Sequence, residues 1–482
     1  MASIQRRLYC SSFPCAHWPK RPHEKTQRLI PCSKHQLPFS PPSEPRWFRP
    51  QVERASRDER TTSSVRGMKV ETTSSDLLAQ LAALEAPWAL RREPDGTHLA
   101  FLDFDEIFEL DADCPEESLR ELLAPRSATG LTFSGWVGFF SYEFLAGLAG
   151  LRCRAERDLK TPGGWFGRPR SILRISPEGI EAEATSAKRA AELKRILAST
   201  TNHSEQPAKR NRAAPTCNLD LDAYRRMFLQ AREEILDGNV YQIKISQRFE
   251  TETCIDPLLA FRRLEATNPS PESFLLQTDE FSIVSCSPES VLSKKGNHLV
   301  TRPIGGTYER RPEESSGETI DSFLGDSKEL REHNMLVDLE RNDLSIVCLP
   351  GSVKIQNFRK VETYAHLHHL VSTIEGRLRP GATLPEILRA MLPGGTITGC
   401  PKFRAMELID SFEPCFRGPY TGSFGTIEDN GDLRLNLIIR AIVTLGGCSY
   451  AQAGGGIVVD STPEYERNEN RIKAQALLDT LQ

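Results

Sequence analysis

Three acidic side chains and one lysine stand where two helices could present them together. In "STPEYERNENRIKAQALLDTL", Glu466, Glu469 and Lys473 occupy i, i+3 and i+7, which aligns them along one helical face. Such a stripe reads either as a solvated charged surface or as half of a ligand site. Glu332, in "SKELREHNMLVDLER", precedes Met335 by three residues and Leu336 by four, so it shares the apolar face of its helix. A carboxylate among buried residues is costly unless it is paired or metal-bound. Mg²⁺ is held by one or two carboxylates, with substrate and water completing its shell. Two such helices converging would suit that ion.

Glycine-rich stretches offer a second kind of chemistry. "MLPGGTITGCPKF" and "QAGGGIVVDS" read as loops, either plain tight turns or nests of exposed N–H groups for an anion. The first feeds the N-terminus of a helix near Pro401, which favours negative charge. Neither stretch matches a P-loop or a dinucleotide fingerprint. With Lys402 after the first loop and Arg440 in "NLIIRAIV", they suggest a site for a small ligand with several carboxylates.

The elements that must hold these groups are legible from periodicity. "LDAYRRMFLQAREEILDG" has helical spacing, with Gly238 as its C-terminal stop. "SKELREHNMLVDLER" is a helix, and "CPKFRAMELIDSF" is another with Pro401 at its first position. A Ser/Thr cap and Pro463 start the last helix. "NVYQIKISQRF" alternates as a strand does, which puts Gln242, Lys244 and Ser246 on one face.

The 482-residue chain has a formal charge of −4, which argues against electrostatic binding of nucleic acid. No apolar run reaches the length of a membrane-crossing helix. Twelve scattered cysteines without a C-x-x-C pair read as reduced thiols in a cytoplasmic setting. Residues 1–67 are rich in proline, arginine and serine and poor in acids, so they cannot order themselves by burial. They read as a disordered tail or as an extension upstream of a start at Met68. The proline content argues against an organelle transit peptide. Residues 68–185 form a first globular part, 186–218 an exposed charged helix and flexible linker, and 219–482 the region carrying the chemistry.

In its ordered motifs the chain resembles the chorismate-utilising enzymes: the large subunits of anthranilate and aminodeoxychorismate synthases, and the isochorismate and salicylate synthases. The motifs include "GNVYQIKISQRF", "SCSPES", "TRPIGGT", "REHNMLVDLERNDL", "LPGGTITGCPKFRAMELID", "RGPYTGSFGTI", "QAGGGIVVDS" and "EYERNENRIKA". The resemblance implies an α+β fold, with two packed, mostly antiparallel sheets flanked by helices and a ligand cleft between them. It implies Mg²⁺ on Glu332 and Glu469, with Glu466 beside them. Glu289 matches a general acid, which must stay protonated at neutral pH. His369 matches an active-site histidine. Tyr420, Arg440, Gly455 and Gly456 match binders of the pyruvyl carboxylate. Thr396, Gly305, Thr307 and Lys402 fall in matching active-site stretches.

Three positions bear on the choice of reaction. The water-adding relatives carry a lysine where this chain has Gln242, and an amide cannot serve as that base. The amine-adding members remain. Many aminodeoxychorismate synthases read P-I-K-G-T, with a lysine that bonds to the ring before ammonia arrives. Gly305 stands in its place and by itself favours anthranilate synthase. "GGTITGCPK", "LNLIIR" and "GWVGFFSYEF" resemble the aminodeoxychorismate branch instead, and the tryptophan-feedback pattern L-L-E-S is not evident. Lys244, on the Gln242 face, either supplies the missing amine or faces solvent. The expected reaction is amination of chorismate at C4 with ammonia from a glutamine amidotransferase partner. The competitors are anthranilate synthase and a non-catalytic chorismate-binding relative.

Overall fold

The Gly164–Ser176 strand is buried along nearly its whole length, as a strand must be when it has neighbours on both edges and packed layers over both faces. It is the hub of the fold. One edge pairs with His98–Leu110. The other edge is shared by Gly135–Phe140 and Gly179–Ala184. From this hub two antiparallel limbs diverge.

The first limb runs from His98–Leu110 through Trp88–Arg92, Glu272–Gln277, Phe281–Ser287, Ala441–Leu445 and Cys448–Ile457 to Gln242–Thr251. The second runs from Gly135–Phe140 through Ser423–Glu428, Leu433–Leu437, Ser290–Lys295 and His298–Thr301 to Leu367–Arg377. All these strands belong to one hydrogen-bonded network. The architecture is therefore α+β, as expected, with the two sheets continuous through a shared strand. Apolar clusters centred on Phe140, Phe166, Ile243 and Leu435, and on Trp88, Leu173, Phe261 and Leu477, fill the layers between strands and helices.

This is a computed structural model. It describes residues 64–70, 77–78, 80–81, 84, 86–198, 214–309, 320, 323–325, 327–363 and 367–481. The chain divides into units 1–59 and 60–482. The expectations for residues 1–63, and for the linker over 199–213, lie outside the described residues. The charged helix appears as Ala187–Ala198, and it is docked rather than exposed throughout. Ala190, Leu193 and Leu197 bury one face at i, i+3 and i+7.

The helices read from periodicity form where expected. Leu221–Leu236 is capped by the Asp220 side chain, and Gly238 (φ +77°) ends it in the left-handed region. Ser327–Val347 and Pro463–Leu481 span the two carboxylate stretches. Two readings change. Pro401 is not the first helical residue: it is the N-cap of Lys402–Phe412, with extended ψ of 139° after a cis Cys400–Pro401 bond. The glycines of "QAGGG" are not a loop. Gly454, Gly455 and Gly456 lie inside the Cys448–Ile457 strand, opposite Ser246, Ile245 and Lys244. Among the described residues no helix is long and apolar enough to cross a membrane.

Candidate active site

Three bare strand positions let side chains close onto both faces of the Cys448–Ile457 strand. A Cβ on Gly456 would sit 2.6 Å from both Gln242 Nε2 and Lys244 Nζ. One on Gly455 would sit 2.7 Å from Asn470 Oδ1 and 3.1 Å from Glu466 Oε2. One on Gly454 would meet the Tyr420 hydroxyl at 3.1 Å. Alternation puts Gly454 and Gly456 on the face of Gln242 and Lys244, and Gly455 on the opposite face, against the last helix.

Gln242 is fully buried and donates to Glu332 Oε2 at 3.4 Å. That contact joins the sheet to the Ser327–Val347 helix. Lys244 shares the Gln242 face, as alternation requires, and is half-buried. Burial pulls its pKa down, while the charges of Glu332, Glu469 and Glu466 oppose that shift. The charges of all three glutamates act on this one cation. Ser461 Oγ donates to Glu466 Oε1 at 2.6 Å, and Lys473 pairs with Glu469 at 2.7 Å. Burial disfavours charge on Glu469, but Lys473 and Lys244 hold its carboxyl below the usual range.

This donor set fits Mg²⁺ in kind. Its ligands are oxygens, and two helices supply them beside an open strand surface. Among the described residues no three His, Cys, Asp or Glu groups form a ready cage.

Glu289 lies just past the Phe281–Ser287 strand and is buried. Its Oε1 accepts from Thr396 Oγ1 at 2.8 Å. Burial raises its pKa to about 8, the Glu340 charge adds to the rise, and the Thr396 hydroxyl and Lys244 oppose it. The carboxyl is protonated at neutral pH, as a general acid must be. Thr396 belongs to the short Gly395–Thr398 turn, every residue of which is buried.

His369 is nearly fully buried. Its Nδ1 faces the Gly306 carbonyl at 3.4 Å, and its Nε2 faces Arg440 Nη2 at 3.4 Å. Burial, then Arg440, lowers its pKa to about 3. The ring is neutral, with Nδ1–H donating to the carbonyl and Nε2 accepting from the guanidinium. Arg440 also donates to Asn268 Oδ1 at 3.4 Å and adopts a left-handed φ of 50° between two strands. Thr307 is the backbone partner of His369 across the Ile304–Glu309 ladder.

Two site expectations are corrected. Lys402 does not reach the cleft. Its ammonium is bound by Asp343 and by the Ala390 and Met391 carbonyls, which end the Leu384–Met391 helix. It serves as a buried counter-charge and helix cap. Gly305, expected at the substrate, packs against the Ser327–Val347 helix. A Cβ there would lie 2.9 Å from Leu336 Cδ1 and 3.2 Å from His333 Cα, because the strand packs flush on the Ser327–Val347 helix.

A family model described as "chorismate binding enzyme" matches residues 87–479. The chain belongs to the chorismate-binding enzyme family. It is 35% identical over 364 residues to aminodeoxychorismate synthase component 1 of Bacillus subtilis, covering 72% of this chain and 77% of that protein. It is 36% identical over 380 residues to anthranilate synthase component 1 of Mycobacterium bovis, covering 72% of each. The crystal structure of anthranilate synthase component I from Streptococcus pneumoniae superposes with a TM-score of 0.71 at 26% identity, covering 82% of this chain and 93% of that one. This chorismate-binding enzyme is thus a synthase of the aminodeoxychorismate/anthranilate type, and the two kinds are similar to it at nearly equal identity.

Sequence reasoning missed the buried frame behind this enzyme's cleft. Arg417 forks onto Glu413 at 2.7 and 2.9 Å and donates to the Lys244 and Ile397 carbonyls at 2.8 and 3.1 Å. Its guanidinium also lies over the Tyr142 ring. Glu413 in turn accepts from Ser246 N and Oγ, both at 2.8 Å. One buried ion pair thus ties the Lys244 strand, the Thr396 turn and the Tyr420 stretch together. No local spacing marks the pair: the Lys402–Phe412 helix ends at Glu413 with an extended ψ of 134°, so the helical i, i+4 relation does not reach Arg417.

Proposed function

We propose that this enzyme aminates chorismate at C4, with loss of the C4 hydroxyl, to give 4-amino-4-deoxychorismate. The product leads toward p-aminobenzoate and folate once a separate lyase acts. Ammonia comes from a glutamine amidotransferase subunit, since the chain contains no G-x-C-x-G nucleophile motif of its own. Glu332 and Glu469, with Glu466 alongside, would hold Mg²⁺, which would supply charge neutralisation for the ring carboxylate. Tyr420, Arg440 and the Gly455–Gly456 backbone receive the pyruvyl carboxylate.

The observation that carries the reading is the pairing of a buried acid with a nearby amine and a non-basic amide. Glu289 is buried with its pKa raised to about 8, the half-buried Lys244 is the cation whose charge opposes that rise, and a buried, non-basic Gln242 stands where water activation would need a base. Lys244 bonds to the ring as the C4–O bond breaks, and the Glu289 proton leaves with the hydroxyl as water. Ammonia then bonds at C4 and the lysine C–N bond breaks, returning the free amine. The new ammonium loses one proton, which restores Glu289.

Gly305 supports a second reading, anthranilate synthase, in which ammonia attacks C2 without a lysine and pyruvate is lost. Product analysis with chorismate, Mg²⁺ and ammonium separates the two. The proposal expects p-aminobenzoate only when a lyase is added. Fluorescent anthranilate formed without a lyase would replace it with the second reading. Mass mapping of a trapped chorismate adduct tests the lysine, and an unmodified Lys244 in an active enzyme removes it from the mechanism. Turnover unaffected by Glu332→Ala would remove the metal assignment.

A further inference from the structure

Behind the general acid sits a second buried carboxylate that the reaction itself does not use. Glu340, on the Ser327–Val347 helix, is 2% exposed. Its Oε1 accepts from the Gly395 backbone N–H at 3.1 Å, and its Oε2 accepts from Thr301 Oγ1 at 3.1 Å. Gly395 immediately precedes Thr396, whose hydroxyl donates to Glu289. A Cβ on Gly395 would collide with Leu339 Cδ2 and lie 3.3 Å from Glu340 Oε1. Only glycine lets the turn come this close to the helix, so Glu340 can grip its backbone.

We infer that Glu340 is a positioning residue: it anchors the Gly395–Thr396 backbone so that the Thr396 hydroxyl meets Glu289, and it sets a second carboxylate behind that acid. The inference rests on the reading of Glu289 as the proton donor.

The charges around the pair are few. Glu289 faces Glu340 from the helix, Lys244 from the Gln242–Thr251 strand, the Thr396 hydroxyl and the Ile304 backbone. Glu340 faces Lys402 from the next helix, Asp343 one turn along its own, Thr301 and Gly395. Burial raises the Glu340 pKa to about 7, with Lys402 opposing. The Glu340 charge raises the pKa of Glu289. A like charge that close disfavours ionisation of Glu289 and keeps the donor loaded to higher pH.

The test is a pH–rate profile of the full-length enzyme with ammonium as amine donor. Glu340→Gln keeps the shape and an acceptor for Gly395 but removes the charge. Its alkaline limb is expected to move down by about one pH unit, with the low-pH plateau within about threefold of wild type. Thr301→Val removes one hydrogen bond that favours ionised Glu340, and it should move the limb the same way by less. Both shifts should recur in a ¹³C-carboxyl NMR titration of Glu289, a readout that needs no turnover and that looser packing alone would not mimic. A limb and a Glu289 titration at the wild-type pH in both variants would overturn the inference. Glu289→Gln separates the two levels. If it is inactive while Glu340→Gln is unshifted, only the role of Glu340 fails. Wild-type turnover in Glu289→Gln would remove the proton-donor reading and this inference with it.

Discussion

The Thr396 hydroxyl donates to Glu289 Oε1 at 2.8 Å inside a fully buried turn. This bond favours the ionised carboxylate, while burial, the larger effect, favours the acid. Because the protonated form does the work, wild-type kcat should hold below about pH 8 and fall as pH rises through that value. Thr396→Val removes the opposing bond, so its alkaline limb should move to higher pH, opposite to Glu340→Gln. Lost orientation of the acid should lower the plateau by about tenfold. A pH–rate series on both variants checks the opposed signs.

Arg417 and Glu413 are both buried and are joined by two hydrogen bonds. Arg417→Met leaves Glu413 charged in the interior, with only Ser246 to serve it. The expected loss is about 3–5 kcal/mol in urea unfolding. Arg417→Lys should recover little of it, because an ammonium cannot reproduce the forked contact or hold the Lys244 and Ile397 carbonyls together.

Two glycines should respond in opposite ways to an added methyl group. In Gly456→Ala the Cβ meets only the mobile ends of Gln242 and Lys244, at 2.6 Å. Folding should survive with a loss of about 1 kcal/mol, while displacement of those groups costs at least about tenfold in kcat/KM. In Gly425→Ala the Cβ lands on the Arg434 carbonyl oxygen, with Leu435 Cα 3.0 Å away. Backbone cannot step aside, so this variant should not yield folded protein. Circular dichroism melts and kinetics on the pair check the contrast.

Stability should fall on both sides of mildly acidic pH. His333 and His369 are held neutral by burial, with pKa values lowered to about 4 and about 3. Their contribution is present above the unfolded value near 6.5 and is lost as pH falls through the folded values, by about 3 kcal/mol for His333. Glu143, Glu289 and Glu340 are raised by burial to about 7, 8 and 7. Their contribution is full below the unfolded value near 4.5 and is lost as pH rises through 7 to 8. Urea midpoints across pH 4–9 test both slopes. His369→Gln should flatten the acid side only, and Glu143→Gln the neutral side only.

Periodicity by itself determined the carriers of the chemistry: the Leu221–Leu236, Ser327–Val347 and Pro463–Leu481 helices and the Gln242–Thr251 strand. Ordered motifs determined the family, and alternation put Gln242 and Lys244 on one face. These are local properties, fixed by spacings of two to four residues along the backbone. Tertiary structure alone decided what meets what. Gln242 finds Glu332 across 90 positions, and Glu289 finds Thr396 across 107. The "QAGGG" glycines became a strand because a partner strand lay alongside, and their absent side chains let Gln242 and Lys244 close over one face and Glu466 and Asn470 over the other. Lys402 was withdrawn to Asp343, and Gly305 was turned toward a helix. The reason is burial. A charge taken from water must find a counter-charge or hydrogen-bond partner wherever the sheet brings one, and sheet pairing joins segments that no local spacing relates.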